Sequence, residues 1–104
     1  EVNMTRLNPV RPGEILKQEF MLPFGLSSNG LAKAIGVTPA RINEIVRERR
    51  GITAETALRL AQYFGTDAQS WMNLQHRYEL EVAEQAIGKE VASIQPMAAR
   101  RVIG

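Results

Sequence analysis

Residues 31–45 read Leu31-Ala32-Lys33-Ala34-Ile35-Gly36-Val37-Thr38-Pro39-Ala40-Arg41-Ile42-Asn43-Glu44-Ile45. Leu31, Ala32 and Ile35 fall on one helical face, and Ile42, Ile45 and the following Val46 fall on another. Between the two stripes stands Gly36, a stop signal, and then Thr38-Pro39, an N-cap with proline at the first helical position. Two short helices joined across Gly36-Val37-Thr38, each with one apolar stripe, form the sequence pattern of a helix-turn-helix. A residue without Cβ suits the turn, Ala32 permits close approach, and Ile42 and Ile45 anchor the second helix while its outer side stays polar.

Outward from this centre the spacing predicts three further helices. Pro12-Gly13-Glu14 opens the first, with Leu16 and Phe20 on one face, and Leu22-Pro23-Phe24-Gly25 breaks it. Ser27 caps the second, which carries Gly30 where a capping box would place Glu or Gln. The third extends to about Glu48 and is closed by Arg49-Arg50-Gly51. Thr53 opens the fourth, with Ala57, Leu60, Ala61 and Phe64 on one stripe and Gly65 at its end. Asp67 caps a longer fifth helix in which Trp71, Leu74, Tyr78 and Val82 share a face until Gly88 interrupts.

No strand of useful length is predicted, Val2 or Val102 joining at most a short edge pairing, and there is no internal repeat. The expected fold is all-α with five helices. Residues 11–87 make the domain, 1–10 an N-terminal arm and 88–104 a flexible tail containing Pro96 and Arg100-Arg101. Met4 stands where translation could begin, so Glu1 to Asn3 are read either as residues carried over from expression or as the product of an alternative start.

Composition narrows the function. A chain of 104 residues, 44% hydrophobic and 23% charged, fits one globular domain and argues against a disordered or membrane-spanning protein. With no Cys and one His, His76, a disulfide framework, a thiolate nucleophile and a metal centre are all disfavoured, and neither metal nor cofactor is expected. The first residues lack the apolar segment of a signal peptide, which points to the cytoplasm.

The net charge of +2 is unevenly spread. Residues 33–59 carry Lys33, Arg41, Arg47, Arg49, Arg50 and Arg59 against Glu44, Glu48 and Glu55, whereas residues 77–90 carry Arg77 and Lys89 against Glu79, Glu81, Glu84 and Glu90. One basic face suggests an anionic partner, nucleic acid before membrane.

With Ile42 and Ile45 turned inward, Thr38, Pro39, Ala40, Arg41, Asn43, Glu44 and Arg47 are the candidates for contact with base edges. Arg bonds guanine through two acceptors, Asn pairs with adenine, and Ala40 is short enough to meet a thymine methyl. Glu44 has the neighbours of Glu48, or Arg47 at i+3, as competing partners. Ser27, Ser28 and Asn29 at the start of the second helix, together with Arg49 and Arg50, are candidates for phosphate. Two such helices in one dimer predict a near-palindromic double-stranded operator with half-sites about one turn apart. Trp71, Leu74 and Tyr78 read first as core and second as contacts between protomers.

Leu26-Ser27, residues 31–39 and Leu60-Ala61-Gln62-Tyr63-Phe64-Gly65-Thr66 resemble the XRE/Cro-type, lambda-repressor-like domain. Pro12-Gly13-Glu14-Ile15-Leu16, Arg41-Ile42-Asn43-Glu44-Ile45 and Trp71-Met72-Asn73-Leu74-Gln75-His76-Arg77-Tyr78-Glu79-Leu80 narrow the resemblance to the HigA antitoxins, over about residues 11–80. It implies a DNA-binding homodimer that represses its own operon and silences a small ribonuclease toxin of HigB type. Glu79, where the family commonly carries Asp, and Gly30 depart from the pattern. A solitary or phage-type regulator without a toxin, and a toxin-sequestering protein with weak DNA binding, are the alternatives. Ser27, Ser28 and the scattered carboxylates form no nucleophile elbow or phosphate loop, so an enzyme is not expected.

Overall fold

A computed structural model of the chain describes residues 8–97. Those residues fold into five helices with no strand. Helix α1 starts at Pro12–Ile15 and runs on as a π-helical stretch, Leu16–Met21, then a 3₁₀ turn, Leu22–Phe24. The Leu22 N–H donates to the Lys17 carbonyl, and this wider coil turns Leu16 and Met21, five residues apart, both into the core. Helix α2 is Ser28–Ile35, α3 is Pro39–Val46, α4 is Ala54–Phe64 and α5 is Ala68–Ala92.

Each of the last four helices begins as its sequence predicts. Ser27, Thr38, Thr53 and Asp67 have extended backbones, and each side chain accepts the N–H three residues on, from Gly30, Arg41, Thr56 and Ser70. Gly36 takes the left-handed conformation at φ 78°, with its N–H and that of Val37 donating to the Ala32 carbonyl, which turns the chain sharply from α2 into α3.

The core joins all five helices: Leu16 and Met21 from α1, Leu31, Ala32 and Ile35 from α2, Ile42 and Ile45 from α3, Ala57, Leu60 and Ala61 from α4, and Trp71 from α5. Phe20 packs between Phe64 and Trp71, with ring centroids 5.0 Å from each. Gly13 marks the closest approach. A Cβ there would collide with the Ile45 carbonyl oxygen, so the start of α1 lies directly on the end of α3.

Two expectations need correction. Helix α3 ends at Val46, and Glu48 lies beyond it with a left-handed backbone, φ 59°. Gly88 does not interrupt α5. The helix bends at Ile87, whose φ and ψ are −129° and 18°, and continues to Ala92, so residues 88–92 are helical rather than tail. Burial along the shared face of α5 fades with distance from the core: Trp71 is 4% exposed, Tyr78 half-buried and Val82 exposed. Val2, Val102, residues 1–7 of the arm and residues 98–104 of the tail lie outside the described residues.

Candidate nucleic-acid interface

The turn between α2 and α3 fixes how α3 is shown to solvent. Ile42 and Ile45 are buried, so residues three and four apart on the opposite side form a stripe of Ala40, Asn43, Glu44 and Arg47. Ala40 and Arg47 are exposed, and Asn43 and Glu44 half-buried. Thr38 and Pro39 stand exposed at the open end of the helix, where the Thr38 hydroxyl is occupied as an N-cap, accepting from the Arg41 N–H at 3.1 Å.

Asn43 and Arg47 line one wall of a cleft of about 600 Å³ with Ser27 and Ser28 from the start of α2. Arg11, Lys17 and Gln18 from the first helix line the same cleft, with the carboxylates of Glu14 and Glu48. The arrangement puts hydroxyl, amide, ammonium and guanidinium groups around one groove, the chemistry that phosphate and base edges require. Asn29 is exposed but does not line this groove. Arg11, Lys17 and Gln18 were not singled out by sequence, because the pattern of α1 reports only its buried face.

Arg41 and Glu44 each meet a charged neighbour. The Arg41 guanidinium lies 4.0 Å from the Glu55 carboxylate, at the flank of the stripe beside α4. Glu44 does not pair with Arg47. Its Oε1 accepts a 2.9 Å hydrogen bond from Nε of Arg50, which ties the loop after α3 back onto the helix. Arg49 is exposed, and its N–H donates to the Glu44 carbonyl.

Glu48 holds the frame of the groove. Its carboxylate accepts the Glu14 N–H at 3.1 Å and also the Gly13 N–H, capping α1, whose own N-cap residue Arg11 supplies no side-chain bond. Burial pushes the Glu48 carboxyl above its ordinary value, although the two N–H groups and the charge of Arg11 pull it back. Arg59 works similarly on α2. Its Nη1 donates to the Ile35 carbonyl at 2.7 Å, closing the end of that helix, while its Nε and Nη2 donate to Glu55.

The dimer candidates divide. Trp71 is core, donating from Nε1 to the Thr66 hydroxyl at 2.8 Å, and Leu74 packs on the core. Gln75, not foreseen, is the buried polar residue of α5. Beyond Tyr78 the helix leaves the body, with Leu80, Ile87 and Val91 exposed by 70, 47 and 51%, and Ile94, past its end, by 68%.

A profile described as Helix-turn-helix matches residues 17–71. The chain is 64% identical over 76 residues to Virulence-associated protein I of Dichelobacter nodosus, covering 73% of this chain and 70% of that protein. It is 32% identical over 93 residues to Antitoxin HigA-1 of Vibrio cholerae, covering 89% and 88%. This chain belongs to the HigA-type antitoxins of the helix-turn-helix family. A solved structure of Pseudomonas aeruginosa antitoxin HigA with the higBA promoter superposes with a TM-score of 0.83 at 48% identity, covering 86% of this HigA-type chain and 99% of that one. Among the described residues no helix is long and apolar enough to cross a membrane.

Proposed function

We propose that this protein is a sequence-specific operator-binding repressor and the antitoxin of a HigBA-type pair, autoregulating its operon and neutralising a ribonuclease toxin of HigB type. The observation that carries the reading is the polar stripe of α3 beside the cleft lined by Ser27, Ser28, Asn43 and Arg47. Arg11 and Lys17 line the same cleft, and the Pseudomonas aeruginosa HigA of matching fold was solved with the higBA promoter. In this reading Thr38, Pro39, Ala40, Asn43, Arg47 and the flanking Arg41 meet base edges or the backbone beside them. Ser27, Ser28, Asn29, Arg49 and Arg50 meet phosphate, and Arg11 and Lys17 join them.

The protein acts as a homodimer. Trp71 and Leu74 contribute by holding α5 to the body, and the exposed apolar residues of α5 from Leu80 to Val91 are the part free to pair. It is a binding protein rather than an enzyme, and it works in the cytoplasm, where the operator is.

Nuclease footprinting of the DNA upstream of its own gene tests the operator half of the reading. Two protected half-sites about one turn apart are expected, and uniform weak protection would contradict it. Co-purification with the product of the adjacent reading frame tests the toxin half.

A further inference from the structure

Glu44 occupies the middle of the outward stripe of α3, one turn beyond Ala40 and three residues before Arg47. A carboxylate there faces the same partner as the surrounding cations, and by charge alone it weakens attraction to DNA. Its contact explains its presence. Glu44 Oε1 takes the Nε hydrogen of Arg50 at 2.9 Å, so the guanidinium is anchored to α3 through Nε, while Nη1 and Nη2, the two ends of the fork, donate no hydrogen bond among the described residues.

Both side chains are 45% exposed, on the surface rather than folded into the core. An unsupported arginine on a loop loses several rotamers on binding. One already fixed through Nε loses few, and its terminal nitrogens keep the bidentate geometry that fits O6 and N7 of guanine.

We propose that Arg50 reads a guanine in the major groove and that Glu44 is its positioning residue, not a reader of bases itself. The proposal rests on the operator-binding reading above and moves Arg50 in it from phosphate to base, while Glu44, a base-contact candidate by sequence, becomes support.

The test is anisotropy of the full chain with duplex DNA from upstream of its gene, comparing Glu44→Gln, Arg50→Lys and the wild-type protein. Glu44→Gln removes a negative charge, so simple electrostatics predicts tighter binding. Positioning predicts the opposite sign, a loss of about tenfold, with Arg50→Lys losing a similar amount because a lysine cannot fork. The double variant is expected to lose little more than either single one. Duplexes carrying 7-deazaguanine at each guanine in turn supply the second readout. One position per half-site is expected to weaken the wild-type protein and to leave Arg50→Lys unchanged.

Equal or tighter binding by Glu44→Gln, or no guanine whose N7 matters only when Arg50 is present, overturns this inference while leaving operator binding intact. A wild-type protein that does not prefer its upstream DNA over a shuffled duplex overturns both.

Discussion

Gln75 Oε1 accepts a 2.9 Å hydrogen bond from the backbone N–H of Ile52, inside the protein, where Gln75 is 5% exposed. Its Nε2 donates to Glu79 at 3.0 Å, and a Cβ on Gly51 would lie 2.8 Å from that same nitrogen. One side chain of α5 therefore satisfies the loop that leaves the DNA-facing helix and ties it to the long helix.

Replacing Gln75 by Leu keeps the volume but strands the Ile52 N–H in a dry site. A loss of about 1–3 kcal/mol is expected, read as a lower urea midpoint at unchanged slope. An unchanged midpoint would mean that the Ile52 N–H finds another acceptor.

Two carboxyl groups give stability opposite dependences on pH. Asp67 is held below its ordinary 3.8 by the backbone N–H and the hydroxyl of Ser70, so the unfolded chain binds its proton more readily. Its contribution is present above that ordinary value and is lost as the pH falls through the lowered one. Glu48 is raised above 4.5 by burial, so the folded chain binds its proton more readily, and stability falls as pH rises from about 4.5 through the raised value. Asp67→Asn is expected to flatten the acid limb of a stability–pH curve, and Glu48→Gln to remove the decline above it. Unfolding midpoints measured from pH 3 to pH 7, by about half-unit steps, check both signs against the wild-type curve.

Much of the fold was legible because the residues that decide it act locally. Ser27, Thr38, Thr53 and Asp67 each cap a helix by reaching three residues forward, and Gly36 turns the chain where its own backbone permits. The misreadings come from tertiary geometry. Glu48 sits in a left-handed position where glycine is the expected residue, and it holds that position with a carboxylate bonded 34 residues away in sequence. Gly88 reads as a helix stop but stands inside α5, one residue past the bend at Ile87. The outward face of α3 followed from Ile42 and Ile45, whereas the Glu44–Arg50 pair depends on how the loop folds back, which no periodicity encodes.

The exposed stripe on α5 carries the dimer reading. Leu80, Ile87 and Val91 stand seven and four residues apart on the part of α5 that has left the body, and an isolated helical segment of that length is marginal in water without a packing partner. Ile87→Asp is expected to shift sedimentation from dimer to monomer while the melting of the helix-turn-helix body stays close to wild type. A dimer that survives the substitution would move the interface off this stripe. Trp71→Ala is a poorer probe, because removing a core aromatic costs about 3–5 kcal/mol before any interface is touched.

The central claim is that α3 and its cationic surroundings recognise the operator of the protein's own gene. Fluorescence anisotropy with the upstream duplex and a shuffled duplex of equal length, at about 50 and 200 mM salt, tests it most directly. The account predicts tighter binding to the upstream duplex at both concentrations, with affinity falling about a hundredfold or more across that interval as phosphate contacts release counterions. Equal affinity for the two duplexes, or a flat response to salt, would contradict it.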